Sequence, residues 1–231
     1  MCVGAATSGW LLAVSVRPVG PVKPPRRSVR VGEVAAVLGG ALMLVGSWVV
    51  VAAHDHVPAF EVRVFHALNG LPDFVWPIVW MPMQVGSFVV SLLAAVVTFV
   101  VSGDWRLSAA TLLAGQAAFW GAKSVKHIVL RARPNVLLTQ VHLHERASGL
   151  GYVSGHSTVA FALGAVLGPS LPRRWQPIAV VVPVVVAFAR IYGGAHLPLD
   201  VVGGAGLGLL VGTLSRWVFG LGGEGLARRA A

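Results

Sequence analysis

Lys126 and Arg133, Ser154 to His156, and Arg190 with His196 and Asp200 are strongly polar residues gathered at the ends of long apolar runs. Their clusters read KHIVLRARP, SGH and RIYGGAHLPLD. The residues named offer three fixed cations, two histidines and one carboxylate. That set can hold a phosphate and attack it.

The spacing within each cluster suggests how. Lys126 and Arg133 are seven apart, two helical turns, so both are expected on one face of a helix end as a two-pronged anion clamp. Arg supplies a planar fork that fits phosphate oxygens and Lys a mobile point charge. The neighbouring Lys123 and Arg131 read instead as snorkelling interfacial cations. Ser154 is a natural N-cap, Gly155 permits close backbone approach, and His156 projects from the first turn, beside free amides that favour an anion. Pro198 starts the last long helix and sets Asp200 one turn below His196, where it can accept the imidazole N–H and fix its tautomer. Gly193, Gly194 and Ala195 are expected to leave room beside Arg190 for a bulky tetrahedral group.

These residues must be positioned by a membrane-embedded scaffold. The chain has 231 residues, 56% hydrophobic and only 11% charged, with a mean hydropathy of +0.78, far from a soluble average. A net charge of +10 could suggest nucleic acid, but the cations border apolar runs, as the positive-inside rule requires. The single cysteine, Cys2, excludes a disulfide framework and any multi-cysteine metal site. His142 and His144 lack a third ligand suitably spaced for zinc, so neither metal nor cofactor is implied.

Residues 1–33 read as a disordered basic cytoplasmic tail, rich in Pro and Arg between Arg17 and Arg30. The apolar patch from Trp10 to Val16 is short and has no preceding basic residue, so it does not read as a signal peptide. A transmembrane domain is expected over residues 34–220, with a cytoplasmic C-terminal tail over 221–231. Six apolar stretches qualify or nearly qualify as spans: Val34 to Ala53, a segment within Val75 to Val101, Leu107 to Leu130, Gly155 to Leu171, Pro177 to Ile191 and Pro198 to Phe219. Pro77 and Pro82 make the start of the second irregular. The tail cations, Arg106, Arg173, Arg174, Arg216, Arg228 and Arg229 fall on one side, which is read as cytoplasmic. All three polar clusters then meet at the outer face. Between the first two spans, Phe60 to Leu71 reads as an interfacial amphipathic helix, with Phe60, Val64, Phe65 and Leu68 on its apolar face and Glu61 and Arg63 off it.

The ordered set K-x6-RP, SGH and R-x5-H-x3-D on an all-helical membrane chain resembles the PAP2 family of type 2 phosphatidic acid phosphatases. The resemblance implies an all-α bundle with a core like that of the acid phosphatases and haloperoxidases. It implies a metal-independent lipid phosphatase in which Lys126, Arg133 and Arg190 hold phosphate with Ser154 and Gly155. His196 would form a phosphohistidine, Asp200 would orient it, and His156 would protonate the leaving oxygen. Two positions depart from the family pattern: Val153 replaces the usual Pro before SGH, and Ala189 the usual Ser before Arg190. Neither removes a catalytic group, and both leave room for a divergent substrate.

Other functions use the same residues. The phosphohistidine could pass phosphate to another alcohol, or the cations could serve a non-catalytic lipid-phosphate binder or transporter. A binder has no evident use for the His196 and Asp200 pair. Undecaprenyl or another polyprenyl diphosphate, phosphatidic acid, phosphatidylglycerol phosphate and a glycosylated polyprenyl phosphate all fit an outer-face site surrounded by membrane lipids. The Asn135 to Tyr152 loop is expected to select among them.

Overall fold

The computed structural model describes residues 31–222. The expected disorder of the N-terminal tail, and all but the first residues of the C-terminal tail, lie outside the described residues. Among those described, every regular element is helical: α1 (Val31–Ala52), α2 (Ala59–Asn69), α3 (Val75–Met83), α4 (Phe88–Ser102), α5 (Trp105–Val129), α6 (Pro134–Leu137), α7 (Gly155–Leu167), α8 (Ile178–Tyr192) and α9 (Pro198–Val218).

α7 is the central helix and packs against α5, α8 and α9. Ala110, Ala114 and Ala118 repeat every four residues along α5, so its face toward Val159, Ala162, Leu163 and Val166 of α7 is nearly flat. Close approach of this kind holds helices together in lipid, where burying apolar groups offers little driving force. On the opposite side, Gly204, Gly208 and Gly212 of α9 do the same. A Cβ at Gly204 would lie 2.7 Å from the Ser154 carbonyl oxygen, and at Gly208 and Gly212 it would lie 2.8 Å from Phe161 Cβ and Ala165 Cβ respectively. Small residues are the only ones that fit along this seam.

α1, α9 and the stretch Arg173–Tyr192 are each long and apolar enough to cross a membrane. α3 with the turn Gln84–Gly86 and α4 would form a fourth, broken span bent by 67°. Length and composition therefore support three or four spans where six were expected. The shortfall lies in α5 and α7. α5 carries Gln116, Lys123 and Lys126 along its 25 residues, and the 13 residues of α7 rise only about 20 Å against a hydrocarbon core of about 30 Å.

The irregularity expected near Pro77 and Pro82 is present, with Pro82 inside α3 and a 3₁₀ turn after it. This break has a packing role: a Cβ on Gly86 would stand 2.8 Å from the His156 Cα, so the bent segment rests directly on the start of α7.

Two readings of single elements are corrected. α2 buries Glu61, Phe65 and Asn69, while Phe60 and Val64 are exposed. Glu61, expected off the apolar face, thus shares the protein-facing side with Phe65, while Phe60 and Val64 face away from the protein. Arg216 is not a loop cation. It is buried in the last turn of α9 and donates to the carbonyls of Val166 (2.7 Å) and Leu221 (2.8 Å) and to Ser170 Oγ (3.1 Å), with Glu33 3.8 Å away. Its place reflects packing, so Arg106, Arg173 and Arg174 carry the charge asymmetry at that end of the described bundle.

Candidate active site

The candidate residues converge at one end of the bundle, where α5 finishes and α7 and α9 begin. α5 stops at Val129 because Leu130 adopts a left-handed conformation, φ 55°, and its amide closes on the Lys126 carbonyl. Lys126 and Arg133 are therefore not on one helical face, as expected, but on a helix end and the loop after it. The signal was present in Pro134, which disfavours helical geometry at the residue before it. Arg133 is extended, φ −82° and ψ 163°.

Both cations are held by backbone carbonyls. Lys126 Nζ donates to Leu150 and Gly151, each at 2.8 Å. Arg133 donates through Nε to Ser148 and through Nη1 to Ala195, also at 2.8 Å, which ties the first cluster to the loop bearing His196. Burial and the like charge of Arg190 hold the Arg133 guanidinium below its ordinary value. An anion placed among these groups would relieve that strain.

Ser154 is the N-cap of α7, but its side chain makes no capping bond to the helix. Its Oγ accepts from Ser157 Oγ at 3.1 Å, and its amide donates to the Asp200 carbonyl at 2.8 Å. The first-turn amides of α7 have no intrahelical acceptor by construction. A Cβ on Gly155 would meet nothing within 4 Å, so open space lies beside them.

Arg190, at 5% exposure, reaches the Glu145 carboxylate and stands 3.5 Å from Met83 Sδ. Its carbonyl accepts from the amides of Ala195 (3.2 Å) and His196 (3.1 Å), closing the turn between α8 and α9. The glycines of this turn do not leave room, as expected. A Cβ on Gly193 would lie 2.9 Å from the Trp76 ring, and Gly194, φ +75°, packs on the backbone of His142. They let the turn sit tightly against α3 and the 138–151 loop.

His196 is 2% exposed. Burial, followed by the charges of Arg190, Lys126, Arg133 and His156, holds its imidazole well below the ordinary 6.5. It is thus neutral near pH 7, the state a nucleophile requires. Nδ1 lies 3.5 Å from Asp200 Oδ2 and has no hydrogen-bond partner. The expected pair is thus in register but not hydrogen-bonded, because the Asp200 oxygens are engaged elsewhere: Oδ2 accepts from the Leu197 amide at 2.9 Å and Oδ1 from Arg131 Nη1 at 2.8 Å.

Arg131 is the largest departure from the sequence reading. Far from snorkelling, its side chain is 8% exposed and lies between two fully buried carboxylates, Glu61 and Asp200. Lys123, by contrast, lies over the rings of Phe119 and Trp120, 4.7 Å from each, as an interfacial cation would. Glu61 and Glu145 were also missed. A carboxylate inside an interfacial helix is costly without a partner, and that cost was the available signal for Glu61. His144 packs between Trp76 and Tyr192 with Asp73 3.2 Å away.

A cavity of about 570 Å³ opens at the other end of the bundle, lined by Glu33, Phe161, Gln176 and Arg216 among others. It holds none of the candidate residues.

Two solved structures share this fold. Aquifex aeolicus LpxE superposes with a TM-score of 0.65 at 23% identity, covering 70% of this chain and 97% of that one. A transmembrane PAP2 type phosphatidylglycerolphosphate phosphatase from Bacillus subtilis also gives 0.65, at 21% identity, covering 80% and 96%. Among curated proteins, a Mycobacterium tuberculosis decaprenylphosphoryl-5-phosphoribose phosphatase is 30% identical over 133 residues, 56% of this chain and 70% of its own. A Sulfolobus acidocaldarius undecaprenyl-diphosphatase is 29% identical over 91 residues, 39% of this chain, and the match spans only 44% of the Sulfolobus protein. The family model of the PAP2 superfamily matches residues 84–222, which include all three polar clusters. The chain belongs to the PAP2 superfamily.

Proposed function

We propose that this membrane protein removes phosphate from a lipid phosphate or polyprenyl diphosphate at the outer face of the membrane, through a phosphohistidine on His196. The observation that carries the reading is the meeting of groups from four separate segments. Lys126 donates to the Gly151 carbonyl, Arg133 to the Ala195 carbonyl next to His196 and the Ser154 amide to the Asp200 carbonyl, while the Arg190 carbonyl accepts from the His196 amide, beside the open space at Gly155. The names of the relatives support a phosphatase acting on lipid-linked phosphate.

In this mechanism Lys126, Arg133, Arg190 and the first-turn amides of Gly155 and His156 take the phosphate oxygens. His196 attacks phosphorus through Nε2, since Nδ1 faces Asp200. The bond to the departing oxygen breaks as His156 gives that oxygen its proton. Water then cleaves the phosphohistidine, its proton returns to His156, and inorganic phosphate leaves. Glu145 must first withdraw from Arg190. Six membrane crossings, with Arg106, Arg173 and Arg174 toward the cytoplasm, would keep the lipid chain in hydrocarbon while its head group rises to the cations.

The test is release of inorganic phosphate by the purified protein from undecaprenyl diphosphate, phosphatidic acid, phosphatidylglycerol phosphate and decaprenylphosphoryl-5-phosphoribose. Release from at least one, lost in His196→Ala, is expected. Equal release by folded His196→Ala, or none from any lipid phosphate, would sink the reading.

A further inference from the structure

Arg131 joins three elements that are far apart in the chain. Its Nη2 donates to Glu61 Oε2 at 2.6 Å, while Nη1 is shared between Glu61 Oε1 at 3.1 Å and Asp200 Oδ1 at 2.8 Å. Glu61 Oε1 also accepts from the Leu199 amide at 2.8 Å. Leu199 lies in the first turn of α9, so α2 supplies a carboxylate to the helix start that carries Asp200.

The arrangement exceeds what a structural staple needs. A guanidinium and one carboxylate already make a complete two-bond pair. Here one arm turns aside to Asp200 and settles which oxygen of that residue faces the loop. With Oδ1 held by Arg131, Oδ2 is left for the Leu197 amide and, 3.5 Å away, His196 Nδ1. The charges point the same way. Two buried carboxylates and one guanidinium carry a net single negative charge, set beside the imidazolium that forms when His196 takes a phosphoryl group. Buried ion clusters contribute little net stability compared with apolar packing, so geometry is the better account of this one.

We propose that Arg131 and Glu61 are positioning residues that act through Asp200 to align His196 and to stabilise its charged, phosphorylated form. The inference rests on the phosphatase reading above. It makes α2, on the outer rim of the bundle, part of the apparatus behind the nucleophile.

The test is a double-mutant cycle in the purified full-length protein, comparing Glu61→Gln, Arg131→Lys, Asp200→Asn and their combinations, with thermal unfolding measured alongside. Glu61→Gln and Arg131→Lys should lower kcat about 10- to 100-fold with KM within about twofold, because they touch orientation and not phosphate. Adding either change to Asp200→Asn should cost little more, since both act through that carboxylate. Penalties that multiply with that of Asp200→Asn would overturn the inference, as would full kcat in the folded single variants. Loss of activity only in parallel with loss of the folded state would also overturn it, marking the cluster as structural. The phosphatase reading fails separately, by activity in His196→Ala.

Discussion

The Glu145 carboxylate lies hydrogen-bonded against Arg190, the guanidinium proposed to take a phosphate oxygen. Glu145 belongs to the loop between α6 and α7, and Arg190 to the last turn of α8. On that proposal, substrate would compete with the protein's own anion.

Removing that competitor should tighten binding. Glu145→Gln is expected to lower KM for a lipid phosphate, and the inhibition constant of inorganic phosphate, by about three- to tenfold while changing kcat little. Steady-state kinetics with phosphate as inhibitor checks this. An unchanged KM would show that the contact opens at no cost.

The environment of His196 sets a pH dependence of stability. Its imidazole is held well below 6.5 by burial and then by Arg190, so the native state refuses a proton that the unfolded chain accepts. Above about pH 6.5 both states are neutral and the group contributes nothing. Below it, the unfolded state gains protons and stability falls by up to about 1.4 kcal/mol per pH unit from this residue. Thermal unfolding between pH 8 and 5 should therefore show a steeper acid decline in the native protein than in His196→Gln. Parallel curves would contradict the assignment.

Chelation should leave turnover intact. Among the described residues no three His, Cys, Asp or Glu side chains group to hold a metal ion, and the cations around His196 already supply the positive charge that a metal would bring. Phosphate release measured in EDTA is the check. Complete loss with rescue by a divalent cation would oppose it.

Orientation can be read with single cysteines in a Cys2→Ser background. Ser148 and Gln176 are both exposed, one in the loop beside Arg133 and the other at the start of α8, the opposite end of the bundle. A membrane-impermeant maleimide applied to intact cells should label Ser148→Cys and spare Gln176→Cys. The reverse pattern would place the site in the cytoplasm and redirect the search to inner-leaflet lipids.

The parts of this molecule legible in the sequence are those whose physics is local. α8 and α9 begin and end within a residue of their expected limits, because apolar length and Pro198 act on nearby backbone alone. The polar clusters were legible because ionisable groups in so apolar a chain demand a reason. The pairing of Glu61 with Arg131, 70 residues away, was not, since either residue alone looks like an interfacial charge. Of the six crossings expected, length and composition alone support three or four. α7 is shielded by α5, α8 and α9, so its length and polarity need not meet the demands of lipid.

The glycine seam between α7 and α9 has a consequence for how such a chain can change. α7 starts at the proposed proton donor and α9 just past the proposed nucleophile, and Gly204, Gly208 and Gly212 lock the two helices side by side over about two turns. The seam would work as a gauge block, setting the gap between the two histidines through backbone packing alone. Slippage of one helix by a residue would spoil attack geometry without touching either histidine. New preferences in a phosphatase of this form would therefore fall on the 138–151 loop, which lies away from the seam.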